Sequence, residues 1–250
     1  MNTIKAIISC LLFPLLGQAA FYPKDPIKFQ KKIEKQVTHH LKYNPQIYYF
    51  GDIHSEDQSR VYTALIKEIK KQDPTLDCLF VEMPKRFTQE AIDDYYFRDD
   101  YNSITEAVHF VHRVYETTPT EIEMNQRKNV ITLAKELKLR TIAVDKLPSP
   151  TTIHTLMDML KEANRNEDHR QYHFALEFET YHYGVKRNRI MAQRMSHAFE
   201  QRTCKKAIAI NGEFHLRGKR KLHQLNVWYT PLQLLASDKY DLSFRKVMTR

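Results

Sequence analysis

Two rhythms of apolar and polar positions run along this chain. Four short and nearly unbroken apolar runs, Ile47 to Phe50, Cys78 to Val81, Thr141 to Val144 and Ala207 to Ile210, interrupt long stretches with apolar residues at helical spacing. Runs of that length read as strands buried on both faces, and the stretches between them as helices. Ile33 and Val37 among lysines predict an amphipathic lead-in helix ending near Asn44 and Pro45. A helix is expected from about Glu56 to Lys71, with Ser55 and Gln58 as a capping box. Three more are predicted at Thr88 to Arg98, Ser103 to Glu116 and Glu121 to Leu139.

From Thr151 to Gln201 the pattern is again helical, interrupted at Gly184, which predicts two or three helices. After the fourth strand a short helix is expected through His223, and Val227 to Tyr229 suits a further strand. Beyond Pro231 the periodicity is too weak to predict any element. Strands alternating with helices give the α/β class: a mostly parallel open sheet of four or five strands, flanked by helices, with a helical cap or insertion. The expected organisation is a leader over residues 1–19, then a single α/β domain over 20–250. Its helical insertions would fall at about 86–139 and 150–201.

Every predicted strand exits into ionisable residues. Asp52 and His54 follow the first, Glu82 the second, Asp145 the third, and Glu213 and His215 the fourth. Open α/β sheets bind ligands at the carboxyl ends of their strands, so these groups are expected to converge. Two of the exits repeat one motif, Gly51-x-x-His54 and Gly212-x-x-His215, in a chain with only five glycines. Glycine permits a sharp turn there, and a following helix offers free amides beside the imidazole. A carboxylate entering a buried sheet end must be paired, which singles out Glu82.

Such a set suits a divalent ion such as Mn, Co or Zn on His54, Glu82 and His215, lowering the pKa of bound water toward about 7. Without a metal, His54 would act as general base on water, its ring held by Glu82 or Asp145, with Arg187 facing the developing oxyanion. The sequence leaves both routes open. His109 with His112, and His169 with His173, have helical spacings but lack the glutamate of a zincin signature, and read as helix-surface residues. Arg217 to Lys221 would attract an anionic substrate or simply solvate a helix start.

The net charge of +9 is spread over short clusters, none as long as a nucleic-acid arm, so no nucleic-acid partner is expected. Charge alone would allow only a basic module for anionic polymers. Lys5 followed by the apolar stretch from Ala6 to Gly17 reads as a Sec-type signal peptide cleaved near Ala19, which places the chain in the periplasm or outside the cell. That stretch is shorter than the roughly 20 residues of a membrane-spanning helix, and no second apolar span follows. Cys78 and Cys204 precede strands of one sheet, and either a disulfide or two buried thiols is compatible with that placement.

Taken in order, Gly51-x-x-His54, the strand ending in Glu82, Arg187-Asn188 with Met191, and Gly212-x-x-His215 followed by Gly218 resemble a known superfamily. It unites Tiki proteases, TraB proteins, ChaN-like haem-binding proteins and erythromycin esterases, and the likeness runs from about Ile47 to Leu225. The resemblance implies an α/β core with a crevice built by His54, Glu82, Arg187 and His215. Its Tiki branch implies metal-dependent cleavage of peptides, its esterase branch a histidine base. Its ChaN-like branch implies haem binding in iron uptake without catalysis. Asp52 stands where ChaN-like and esterase members often carry Glu, whereas Arg187-Asn188-x-x-Met191 is nearer the Tiki pattern. The expected activity is hydrolysis of a peptide or ester, with haem binding as the alternative.

Overall fold

The computed structural model describes residues 25–52, 56–114, 120–146, 148–212 and 244–247. At its centre lie five strands, β1 (Ile47–Asp52), β2 (Cys78–Pro84), β3 (Arg140–Asp145), β4 (Ala207–Gly212) and β5 (Phe244–Val247). They pair in the order β3-β2-β4-β1-β5, every pair parallel. The four predicted strands and the α/β class are therefore present. β5 comes from the tail where periodicity predicted nothing, because four residues gain strand geometry only from pairing with β1. β4, last of the four in sequence, inserts between β1 and β2.

The helices are α1 (Pro26–Leu41), α2 (Glu56–Gln72), α3 (Lys85–Arg98), α4 (Tyr101–Val114), α5 (Glu121–Glu136), α6 (Pro150–Asn166), α7 (His169–Glu179) and α8 (Lys186–Glu200). Local chemistry sets several ends. Asp25 caps α1 by accepting from the N–H groups of Ile27 and Lys28, with Pro26 in the first turn; Ser149 and Pro150 do the same for α6. The chain has few glycines, so Asp99 and Glu167 adopt left-handed backbone at the ends of α3 and α6, with φ of 57° and 49°. The predicted helical stretch 151–201 breaks at Glu167, whereas Gly184 lies within a π-helical segment, Thr180–Val185, that joins α7 to α8 without a break. Backbone hydrogen bonds can absorb an extra residue in this way, so the glycine did not end the helix.

Side chains alternate between the two sheet faces, as a period of two requires. Tyr48, Phe50, Leu79, Val81 and Ile208 pack with Ile33, Tyr62, Ile66, Ile92, Val108 and Val130 from α1 to α5. Tyr49, Phe80, Ala207 and Ala209 pack with Met191, Ala192 and Met195 of α8. Each large apolar side chain buried this way contributes about 1.5–3 kcal/mol. A disulfide between Cys78 and Cys204 ties the start of β2 to the loop before β4, resolving the two options left by the sequence.

Below the sheet, Asp73 accepts from Lys206 Nζ at 2.7 Å and Tyr48 Oη at 3.2 Å. Burial alone would push the Asp73 carboxyl up, but these bonds and one from Thr75 outweigh it and hold it below the usual range. No helix among the described residues is long and apolar enough to cross a membrane. The predicted leader, the Ser55–Gln58 cap, the helix through His223 and the strand at Val227 to Tyr229 lie outside the described residues or side chains.

Candidate functional site

At the carboxyl edge of the sheet β2 carries one extra residue relative to β3: Val81 pairs with Ala143, but the next pair is Pro84 with Asp145. Such a bulge re-aims side chains at a strand end. Glu82 sits within it, on the face packed by α8, where Arg187 in the first turn reaches over the strand ends. Arg187 Nη2 donates to Glu82 Oε1 at 2.8 Å, and Nε donates to Asp145 Oδ1 at 2.9 Å. Nη2 also binds Asp145 Oδ2, completing a forked pair. The second oxygen of Glu82, Oε2, accepts the backbone N–H of Gly212 at 2.5 Å. One cluster thus bolts together the exits of β2, β3 and β4.

The Asp145 side chain is only 3% exposed, against 21% for Glu82 and 16% for Arg187. Burying a carboxylate as enclosed as Asp145 is costly without a cation held against it. Arg194, two helical turns beyond Arg187, donates Nη1 to the Val144 carbonyl at 3.3 Å and also to that of Asp145. Burial lowers the Arg194 pKa, and Asp145 opposes that effect.

Under the ion cluster lies a polar layer. Tyr49 is fully buried and its Oη has no hydrogen-bond partner among the described residues; burial, then the charge of Glu82, pushes its hydroxyl far above the usual tyrosine range. Asn211 donates Nδ2 to Met191 Sδ at 2.8 Å, while its buried Oδ1 has no partner among the described residues. Buried polar atoms left without a partner cost free energy, which an internal water can offset where there is space for one.

The π-helical segment sets which side chains on either side of it are buried. Glu179 and Asn188 are nine residues apart, about two and a half turns of a regular helix, which would set them on opposite faces. Widened turns between them return both to the buried face, where Glu179 is 5% exposed and Asn188 is fully enclosed. Burial raises the Glu179 carboxyl to about 7.

Of the residues expected at the site, Glu82 and Arg187 meet directly, and Asp145 joins them. His54, Glu213 and His215, with the side chain of Asp52, lie outside the described residues or side chains. The strand ends that precede His54 and His215 in the sequence are register partners: Gly51 pairs with Asn211, and Asp52 with Gly212. Sequence reasoning missed Tyr49, Asn211 and Arg194 beside the cluster; only Arg194 left a signal, its seven-residue spacing from Arg187.

No protein-family model matches the chain, and no curated protein sequence matches it. Among solved structures, ChaN of Campylobacter jejuni, a structure of cofacial haem binding, is similar at 11% identity and a TM-score of 0.54, covering 85% of this chain and 84% of that one. At that identity the likeness concerns the fold. The type III effector HopBA1 (14% identity, 68% and 67% covered, TM-score 0.38) and a structure of bacterial protein toxins (15%, 90% and 39%, TM-score 0.47) add nothing to the fold assignment.

Both oxygens of Glu82 and both of Asp145 already accept hydrogen bonds, so in this arrangement they brace the strand ends. No group of three His, Cys, Asp or Glu residues suited to a metal occurs among the described residues. Haem needs an apolar slot and an axial ligand. The cleft beside α3 is lined mostly by charged side chains and does not fit it.

Proposed function

We propose that the carboxyl edge of the sheet is a hydrolytic crevice, in which His54 and His215 flank the Glu82–Arg187–Asp145 cluster and act on a peptide or ester bond. The observation that carries this reading is the pairing of Asp52 with Gly212, together with the bond from Gly212 N–H to Glu82. Turns that start from paired positions on adjacent strands begin about 5 Å apart. His54 is the general base on water, and the cluster fixes the strand exits that carry both imidazoles. A divalent ion, Mn, Co or Zn, would rest chiefly on the two imidazoles, because Glu82 is engaged elsewhere. Anionic substrates suit the positive charge of the chain.

The chain is read as one α/β domain behind a signal peptide, acting in the periplasm or outside the cell. The Cys78–Cys204 disulfide supports an oxidising compartment. Membership of the Tiki and ChaN-like superfamily belongs to the same proposal.

Alanine at His54 or at His215 is expected to abolish hydrolysis of peptide and ester probes by the full chain while its melting temperature holds. Unfolding of both variants would make those imidazoles structural. A second reading, haem binding without catalysis, draws on the fold likeness to ChaN. A Soret band on titration with haem, in a protein that cleaves nothing with or without Mn, Co or Zn, would select it.

A further inference from the structure

Away from the ion cluster, a cleft of about 510 Å³ runs between α3 and α8, lined by Lys85, Arg86, Glu90, Asp94, Phe97 and Arg194, with Gln89 and Asp93 also on its wall. Its volume falls within the range of ligand sites, roughly 300–1,000 Å³. Its lining charge runs from basic to acidic along the α3 axis, with Asp94 at the acidic end paired at the surface with Arg98 at 3.6 Å. Lys85 and Arg86 open the helix, and Arg194 of α8 also lines the cleft, whereas Glu90, Asp93 and Asp94 follow one and two turns later along α3. Pro84 provides no side-chain cap, so the first-turn amides of α3 reinforce the cationic end. Lys85 and Glu90 have no ion-pair partner among the described residues, and Arg194 spends only Nη1 on the carbonyls of β3.

Beyond the acidic end stands Phe97, 86% exposed. A large aromatic ring held in water beside a charged cleft is what an interaction site presents, and aromatic rings supply much of the anchoring at such sites. The edge of β3 does not compete for a ligand: Gln89 and Arg194 already occupy its backbone groups from opposite faces.

We infer that this cleft binds an extended peptide segment that carries an acidic and a basic side chain about four residues apart and an apolar residue just beyond the basic one. The spacing follows from geometry: Arg86 and Asp94 are separated by about 12 Å of helix rise. An extended chain covers that in about four residues. The acid would lie against Lys85, Arg86 and Arg194, the base against Glu90, Asp93 and Asp94, and the apolar side chain on Phe97. This site stands whether or not the crevice hydrolyses anything.

Fluorescence polarisation on the full chain tests it with a labelled Ala-Glu-Ala-Ala-Ala-Lys-Leu-Ala probe, beside versions with two glutamates or two lysines at the charged positions. The mixed-charge probe is expected to bind at least ten-fold more tightly than either. Phe97→Ala should weaken it about ten-fold. The pair Glu90→Lys and Asp94→Lys should reverse the preference toward the two-glutamate probe. All three positions are at the surface, and unchanged circular dichroism and melting temperature keep the comparison clean. Equal binding of the three probes, no binding to wild type, or indifference to Phe97→Ala would each overturn the assignment.

Discussion

The Glu82 carboxylate accepts the Gly212 N–H at 2.5 Å, joining the end of β2 to the last residue of β4 across 130 positions of sequence. Its other oxygen belongs to Arg187, so one side chain connects the helix that crosses the sheet to the strand that precedes Glu213 and His215. The carboxyl edge is therefore braced before any ligand arrives, and its stability should depend on Arg187 more than surface ion pairs usually allow.

Arg187→Met should destabilise the fold by about 3–5 kcal/mol, because it leaves Asp145 as a buried charge without its cation. Arg187→Lys should recover only part of that, since a single ammonium does not reproduce the forked contact with Asp145 and Glu82. Urea unfolding at neutral pH measures both. A midpoint for Arg187→Met equal to wild type would mean that Asp145 is not held as a buried charge.

Glu179 should set a pH dependence of opposite sense to that of Asp73. The folded chain keeps a proton on Glu179 up to about pH 7, whereas the unfolded chain releases it near 4.5. The folded state thus binds more protons between those values, and stability falls as pH rises through them. Glu179→Gln should match wild type near pH 4 and exceed it at pH 8 by up to about 3 kcal/mol. Identical pH profiles of thermal stability for the two proteins would contradict this.

Reduction of Cys78–Cys204 should be costly. The bridge closes a segment of 126 residues, and loop-closure entropy for that length corresponds to about 4–5 kcal/mol. Denaturation with and without reductant gives the difference, and a Cys78→Ala/Cys204→Ala variant should show the reduced value under both conditions. A wild-type chain indifferent to reductant would count against a structural bridge.

Gln89 guards the open side of the sheet. Its amide donates to the Thr141 carbonyl at 3.1 Å and accepts from the Ala143 N–H at 2.8 Å, the two bonds another strand would make. Gln89→Ala should cost about 1–3 kcal/mol for the orphaned groups. It should also raise self-association, because an exposed edge recruits other strands. Light scattering across a concentration series checks the second effect, and a variant that stays as wild type at high concentration would remove it.

Much of the frame could be read along the chain. Four apolar runs became four strands, and Glu82 followed by a long helical stretch bearing Arg187 became a real ion pair, because a charged residue at the end of a buried run has few ways to be satisfied. Gly184 misled in detail: glycine weakens a helix, but the chain continued through it as a π-helical segment. β5 was illegible, because its four residues are held in place by β1 and not by their own pattern.

The sequence by itself determined the class of fold, the strand exits at which ionisable residues gather, and the identities of Glu82, Asp145 and Arg187. All of these follow from local periodicity and from the desolvation of charge. Tertiary structure alone decided that β4 lies between β1 and β2, that Cys78 is bonded to Cys204, and that Tyr49 Oη and Asn211 Oδ1 lie buried without a hydrogen-bond partner among the described residues. These depend on which distant segments become neighbours. That is governed by the summed packing of both sheet faces, a quantity no single stretch of residues contains.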